Sequence, residues 1–155
     1  MSIYVDTEFS TYRGDLISLA LACTDGTEFY AVRQPRHYLA SCTDWVKDNI
    51  LPIIAAGIVA AEPDDVWRER LWEYFKPREN HTCYADWGED LTHLLMALQW
   101  PFESKRKFVW NGRIIAVGDT DPKIPHHALS DAHALMQTHK REARGSIRLT
   151  RSIAH

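Results

Sequence analysis

Apolar residues in this chain come first in short strand-length runs and, after Pro35, at helical spacing. Ser2 to Asp6 predicts a first strand, and Leu16 to Cys23 (LISLALAC) a second. The second run is almost wholly apolar, so it should lie centrally or be covered on both faces. Asp25-Gly26 follows, a hairpin signal because both residues tolerate positive φ. Glu28 to Arg33 then returns as a third strand, and the three open the chain as an antiparallel meander.

Thr43 is a good N-cap for a helix over Asp44 to Ile50, where Trp45, Val46, Ile50 and Leu51 recur at helical spacing. Pro63 and two acids open a second helix, Asp64 to Phe75. Val66, Trp67, Leu71, Trp72, Tyr74 and Phe75 give it a broad apolar face, as in any packed helix, so its aromatics read as core rather than as a base-stacking platform. His81 to Ala85 is a fourth strand, broken off at Gly88, and Asp90 to Leu98 forms the next helix. Lys107 to Val117 contains a fifth strand, with Asn111-Gly112 as a turn inside it. Gly118 to Pro125 is a loop, and Ala128 to about Arg141 the last helix. This order predicts an α/β fold, a mixed five-stranded sheet flanked by helices. It forms one domain over residues 1–141, with a basic tail over 142–155.

The 155 residues suffice for one self-standing core, and 45% hydrophobic with 25% charged residues is an ordinary globular profile. A net charge of −3 argues against a general polyanion binder coated in Lys and Arg. It leaves room for a nucleic-acid enzyme, because bound metal ions offset a carboxylate-rich site. Cys23, Cys42 and Cys83 form no C-x-x-C pair; they read as small buried hydrophobes in a reducing compartment. No secretory signal is evident, and the longest apolar run, Ile50 to Ala61, is interrupted by Pro52 and Gly57. A cytoplasmic protein without membrane contact is expected.

Against that background, Tyr4-Val5-Asp6-Thr7-Glu8-Phe9 carries two carboxylates where an apolar strand should be. Residues i and i+2 of a strand share a face, so Asp6 and Glu8 stand side by side. Two solvated acids at a strand end would give the same spacing. At the edge of a core, however, paired anions call for a cation, and hard oxygen ligands suit magnesium or manganese. Asp90 at a strand-to-helix junction and Asp131 in the first turns of the last helix stand where such a sheet would bring them close. Both also fit as acids at helix N-termini. His126 precedes Asp131 by five residues, a gap that lets the loop carry an imidazole over a cation held by the aspartate.

An Asp-x-Glu on the first strand, an Asp opening a mid-chain helix and a closing His-x-x-x-x-Asp together resemble the DEDDh 3′-to-5′ exonucleases, which have ribonuclease H-like folds. The likeness is to small bacterial and phage exoribonucleases related to ribonuclease T and oligoribonuclease, in which the first motif often reads Asp-Thr-Glu-Phe, as from Asp6 to Phe9 here. It extends from Tyr4 to about Gln137, and the middle motif is its weakest part.

The resemblance implies Asp6, Glu8, Asp90 and Asp131 as ligands of two divalent ions, Mg²⁺ or Mn²⁺, and His126 as general base. Asp86 is a rival to Asp90, because Glu89 stands where the family usually has an aromatic or small residue; His127 is a rival to His126. It further implies release of nucleoside 5′-monophosphates from single-stranded RNA 3′ ends or short oligonucleotides, with a homodimer as the common assembly. Phe9 would stack on the terminal base or lie in the core, and Thr7 and Glu8 would contact the terminal sugar. The alternatives are a catalytically silent nucleic-acid-binding domain, a DNA-directed exonuclease, or an endonuclease with no terminal pocket. The basic segment Lys140 to Arg151 reads either as a phosphate-tracking arm or as a solvated helix end with a frayed tail.

Overall fold

A computed structural model describes residues 1–57, 59–78, 81–99 and 111–152. Ser2–Phe9 (β1) pairs antiparallel with Leu16–Cys23 (β2), which pairs antiparallel with Glu28–Val32 (β3). Thr82–Ala85 (β4) joins the other side of β1 in parallel, and Asn111–Ile114 (β5) pairs parallel to β4. The sheet order is β3-β2-β1-β4-β5, so the strand bearing Asp6 and Glu8 is central. β2 is buried along its whole length, as its unbroken apolar run requires. The helices are Asp44–Asn49 (α1), Leu51–Ala56 (α2), Asp64–Phe75 (α3), Gly88–Leu98 (α4) and Ala128–Ser152 (α5). The protein is thus α/β, a mixed five-stranded sheet flanked by helices. No helix among the described residues is long and apolar enough to cross a membrane.

The two faces of β1 belong to different layers. Ile3 and Val5 join Leu19, Leu21, Trp67, Leu71, Phe75 and Leu94 in the larger core beneath α3 and α4. On the other face Ala20 and Ala22 meet Ala128 and Ala132 of α5, and these small side chains let the helix sit close to the sheet. Tyr4, on the same face as Asp6 and Glu8, fixes α5 through a 2.9 Å hydrogen bond between its hydroxyl and His139 Nδ1. The β1–β2 register slips between Glu8 and Phe9, a bulge of the kind that re-aims side chains beside functional sites. Ile17, left out of that pairing, packs with Tyr38, Cys42, Val46 and Ile50 and so holds α1 against the end of the sheet. Arg33 ties β3 to α3 by a two-pronged pair with Asp64, at 2.8 Å and 2.7 Å.

Several elements differ from expectation. β1 runs on to Phe9, because the carboxylate pair continues the pleat and does not end it. Gly88 begins α4 instead of separating it from the strand, which puts Asp90 in the first turn. Asn111 and Gly112 lie within β5, paired with Thr82 and Cys83, so they make no turn; the predicted start of this strand at Lys107 lies outside the described residues. α5 continues past Arg141 to Ser152, so most of the expected tail is helical. Trp45 and Val66 are exposed, since each neighbours a residue (Val46, Trp67) that takes the buried side of a short helix. The three cysteines are free and buried, as expected.

Candidate metal centre

The strand period sets Asp6 and Glu8 on the α5 face of β1, and the first turn of α5 brings Asp131 to them. One carboxylate oxygen from each of Asp6, Glu8 and Asp131 lies within 4.8 Å of the other two. A second group with the same spacing joins Asp6 to Asp86 and Asp90, so Asp6 belongs to both. Asp86 immediately follows β4, and Asp90 lies one helical turn further on. Both rivals for the middle position therefore reach the site.

Asp90 comes from the opposite layer and is pinned by Thr7. The Thr7 main-chain N–H and hydroxyl both donate to Asp90 Oδ1, at 3.0 Å and 2.7 Å. Asp90 is only 2% exposed, and its Oδ2 finds no hydrogen-bond partner among the described residues. A buried carboxylate oxygen without a donor is costly unless a cation or water meets it.

These acids hinder one another's ionisation. Burial, then Asp90, Glu8, Asp131 and Asp86, hold the Asp6 carboxyl well above the usual range. Glu8 is pushed up to about 8 by burial and by Asp131 and Asp90. Asp90 rises to about 7 through burial and Asp86, although Thr7 opposes the rise. Asp131 rises to about 6 through burial, opposed by the nearby His126. The N-termini of α4 and α5 favour anions but do not offset this crowding. Such a set of oxygen donors can hold a hard divalent cation.

The two neighbouring histidines part company. His126 has φ 60°, a left-handed backbone that non-glycine residues seldom adopt outside constrained sites. It is exposed in the cleft that holds the acids, with its ring edge-on to Trp45 at 5.1 Å. His127 points elsewhere: its ring lies 4.8 Å from that of Tyr30, and it lines a separate cavity with Glu28, Lys123 and His133. Phe9 lines the acid cleft while stacking on the buried His93 at 5.5 Å, so it serves both the cleft and the packing beneath it.

The cleft has a volume of about 760 Å³, within the range of roughly 300–1,000 Å³ typical of ligand sites. Its rim includes Tyr12, Trp45 and Trp87, which are 63%, 54% and 58% exposed. These three are hard to pick out by pattern, because exposed aromatics look like core until the packed face of each element is known. A short connection carries Tyr12 to the site. Ser10 N–H donates to Asp15 O, Thr43 N–H donates to Ser10 O, and Ser41 Oγ donates to Asp15 Oδ2, tying the β1–β2 loop to the start of α1.

Compared with known proteins, the chain matches no family model and no curated relative.

Proposed function

We propose that this protein is a metal-dependent 3′-to-5′ exoribonuclease of ribonuclease H-like fold, hydrolysing phosphodiesters at single-stranded ends. The observation that carries this reading is the meeting of Asp6, Glu8, Asp90 and Asp131, from both ends and the middle of the chain, in one cleft that also contains His126. The donor set fits two Mg²⁺ or Mn²⁺ ions, being entirely carboxylate and including the orphaned Asp90 Oδ2. Such ions, when bound, supply positive charge to the scissile phosphate and lower the pKa of an attacking water.

The protein's own groups do the rest. Thr7 orients Asp90, and Asp6 is shared by the two groups of acids. His126 accepts the proton of the attacking water, acting as the general base. Tyr12, Trp45 and Trp87 offer ring faces to unpaired bases, each worth roughly 1–3 kcal/mol without regard to sequence. Polarity and mononucleotide release follow from the likeness of the first and last motifs to the DEDDh exonucleases, as does the preference for RNA.

The test is incubation with Mg²⁺ or Mn²⁺ and RNA or DNA labelled at either end, single- and double-stranded. Metal-dependent release of mononucleotide from 3′-labelled single-stranded RNA, lost in Asp131→Asn, is the expected result. Internal fragments would indicate an endonuclease, and retention without cleavage a binding domain; either rejects the proposal.

A further inference from the structure

The resemblance leaves one middle aspartate to be chosen between Asp86 and Asp90, but the structure brings both to Asp6. We infer that Asp86 is itself a ligand, so that Asp6, Asp86 and Asp90 form a three-carboxylate cation position that fills in the absence of nucleic acid. The inference rests on reading the cleft as a divalent-cation centre and adds a fifth acid to it.

Three observations support it. Oxygens of Asp6, Asp86 and Asp90 lie within 4.8 Å of one another, the same closeness as in the Asp6, Glu8 and Asp131 group. Asp90 is almost wholly buried, and its Oδ2 is unpartnered while Oδ1 is doubly held by Thr7, so a directed acceptor awaits a cation. Asp86 is exposed, at the mouth of the group, and no hydrogen bond or ion pair ties it elsewhere among the described residues. An exposed acid paired with a buried one would let Asp86 and Asp90 hold the ion jointly with Asp6. With three carboxylates supplied by the protein, this position does not depend on a substrate phosphate to complete it, unlike Mg²⁺ sites built from one or two carboxylates plus phosphate oxygens.

The test is a Mn²⁺ titration of the full chain without nucleic acid, counting bound ions by electron paramagnetic resonance and calorimetry. Wild type should bind two Mn²⁺. Asp86→Asn should keep one at nearly unchanged affinity, which also reports that the variant is folded, and lose the other by about 100-fold or more, beyond the 10–100-fold typical of outer-shell losses. Glu8→Gln should show the mirror pattern, weakening the other ion. Two ions bound by Asp86→Asn with wild-type affinity would overturn the inference and leave the metal reading intact. One ion in wild type, unaffected by Asp86→Asn, would overturn it in the same way. No ion bound by wild type would overturn both.

Discussion

Replacing Asp6 by Asn should make the metal-free protein more stable while removing its response to metal. Asp6 is partly buried and faces Glu8, Asp131, Asp86 and Asp90, with oxygens within 4.8 Å inside each group. Two unit charges at that separation repel by about 3–4 kcal/mol at an effective dielectric constant near 20. The native protein evades part of this by keeping protons: Glu8 to about 8, Asp90 to about 7, Asp131 to about 6. Unfolded carboxylates release theirs near pH 4. Between about pH 4 and 8 the metal-free native state therefore binds more protons than the unfolded state, and its stability falls as pH rises through that window. Removing the shared carboxyl should restore about 2–4 kcal/mol at pH 8, and much less at pH 5, where Glu8, Asp90 and Asp131 keep their protons. For a domain of this size that is roughly 5–10 °C in Tm. Mn²⁺ at a hundred times its Kd should add about 2.7 kcal/mol for each ion bound to wild type, and little to the variant. Thermal melts at pH 5, 6, 7 and 8, in chelator and in Mn²⁺, check each part. A variant that melts below wild type in chelator at pH 8, or that gains as much as wild type from Mn²⁺, would show that Asp6 is neither a source of repulsion nor a ligand.

Other expectations concern single side chains. His126→Ala should lower the rate of 3′-end release by about 10²–10⁴-fold, the usual worth of a general base, with Mn²⁺ binding retained; His127→Ala should cost far less, and the reverse order would move the base. Trp45→Ala and Trp87→Ala should raise KM for single-stranded RNA about 5–150-fold, from stacking losses of roughly 1–3 kcal/mol, with little change in kcat; unchanged KM would remove these rings from the substrate path. Gly14→Ala should disturb the cleft rim, because an added Cβ would lie 2.6 Å from Ser10 Oγ and 2.7 Å from Thr11 O; a wild-type melting curve and KM would show the loop to be more forgiving. Arg33→Met should cost about 1.5–3 kcal/mol, the range for hydrogen bonds to a charged group, by removing both its bonds to Asp64 at the β3–α3 junction; urea melts with an unchanged midpoint would contradict this.

The elements most legible in the sequence were those fixed by local signals. The apolar run of β2, the Asp25-Gly26 turn and the proline-led start of α3 needed no tertiary information, and their boundaries agree with the structure. Asn111-Gly112 misled because a turn dipeptide can sit in a strand when its neighbour supplies the ladder, as β4 does here. Asp6 and Glu8 stand out through the strand period alone, whereas the helical spacing of Leu91 and Leu94 favours Asp90 over its rival Asp86 without showing that both reach Asp6. Only the fold shows that one is buried and pinned by Thr7 while the other stands exposed beside it. Thr7 sends both its main-chain N–H and its hydroxyl to Asp90, a role that the strand pattern alone does not reveal. The aromatic rim stayed hidden because Trp45 is adjacent to Val46, and a six-residue helix buries only one of them.

Anomalous diffraction from crystals soaked in Mn²⁺ would locate the ions themselves. One peak is expected bonded to Asp6, Glu8 and Asp131, with a second between Asp6, Asp86 and Asp90. Saturating Mn²⁺ that left this cleft without anomalous density, or bound only at other surface acids, would contradict its role as a metal centre.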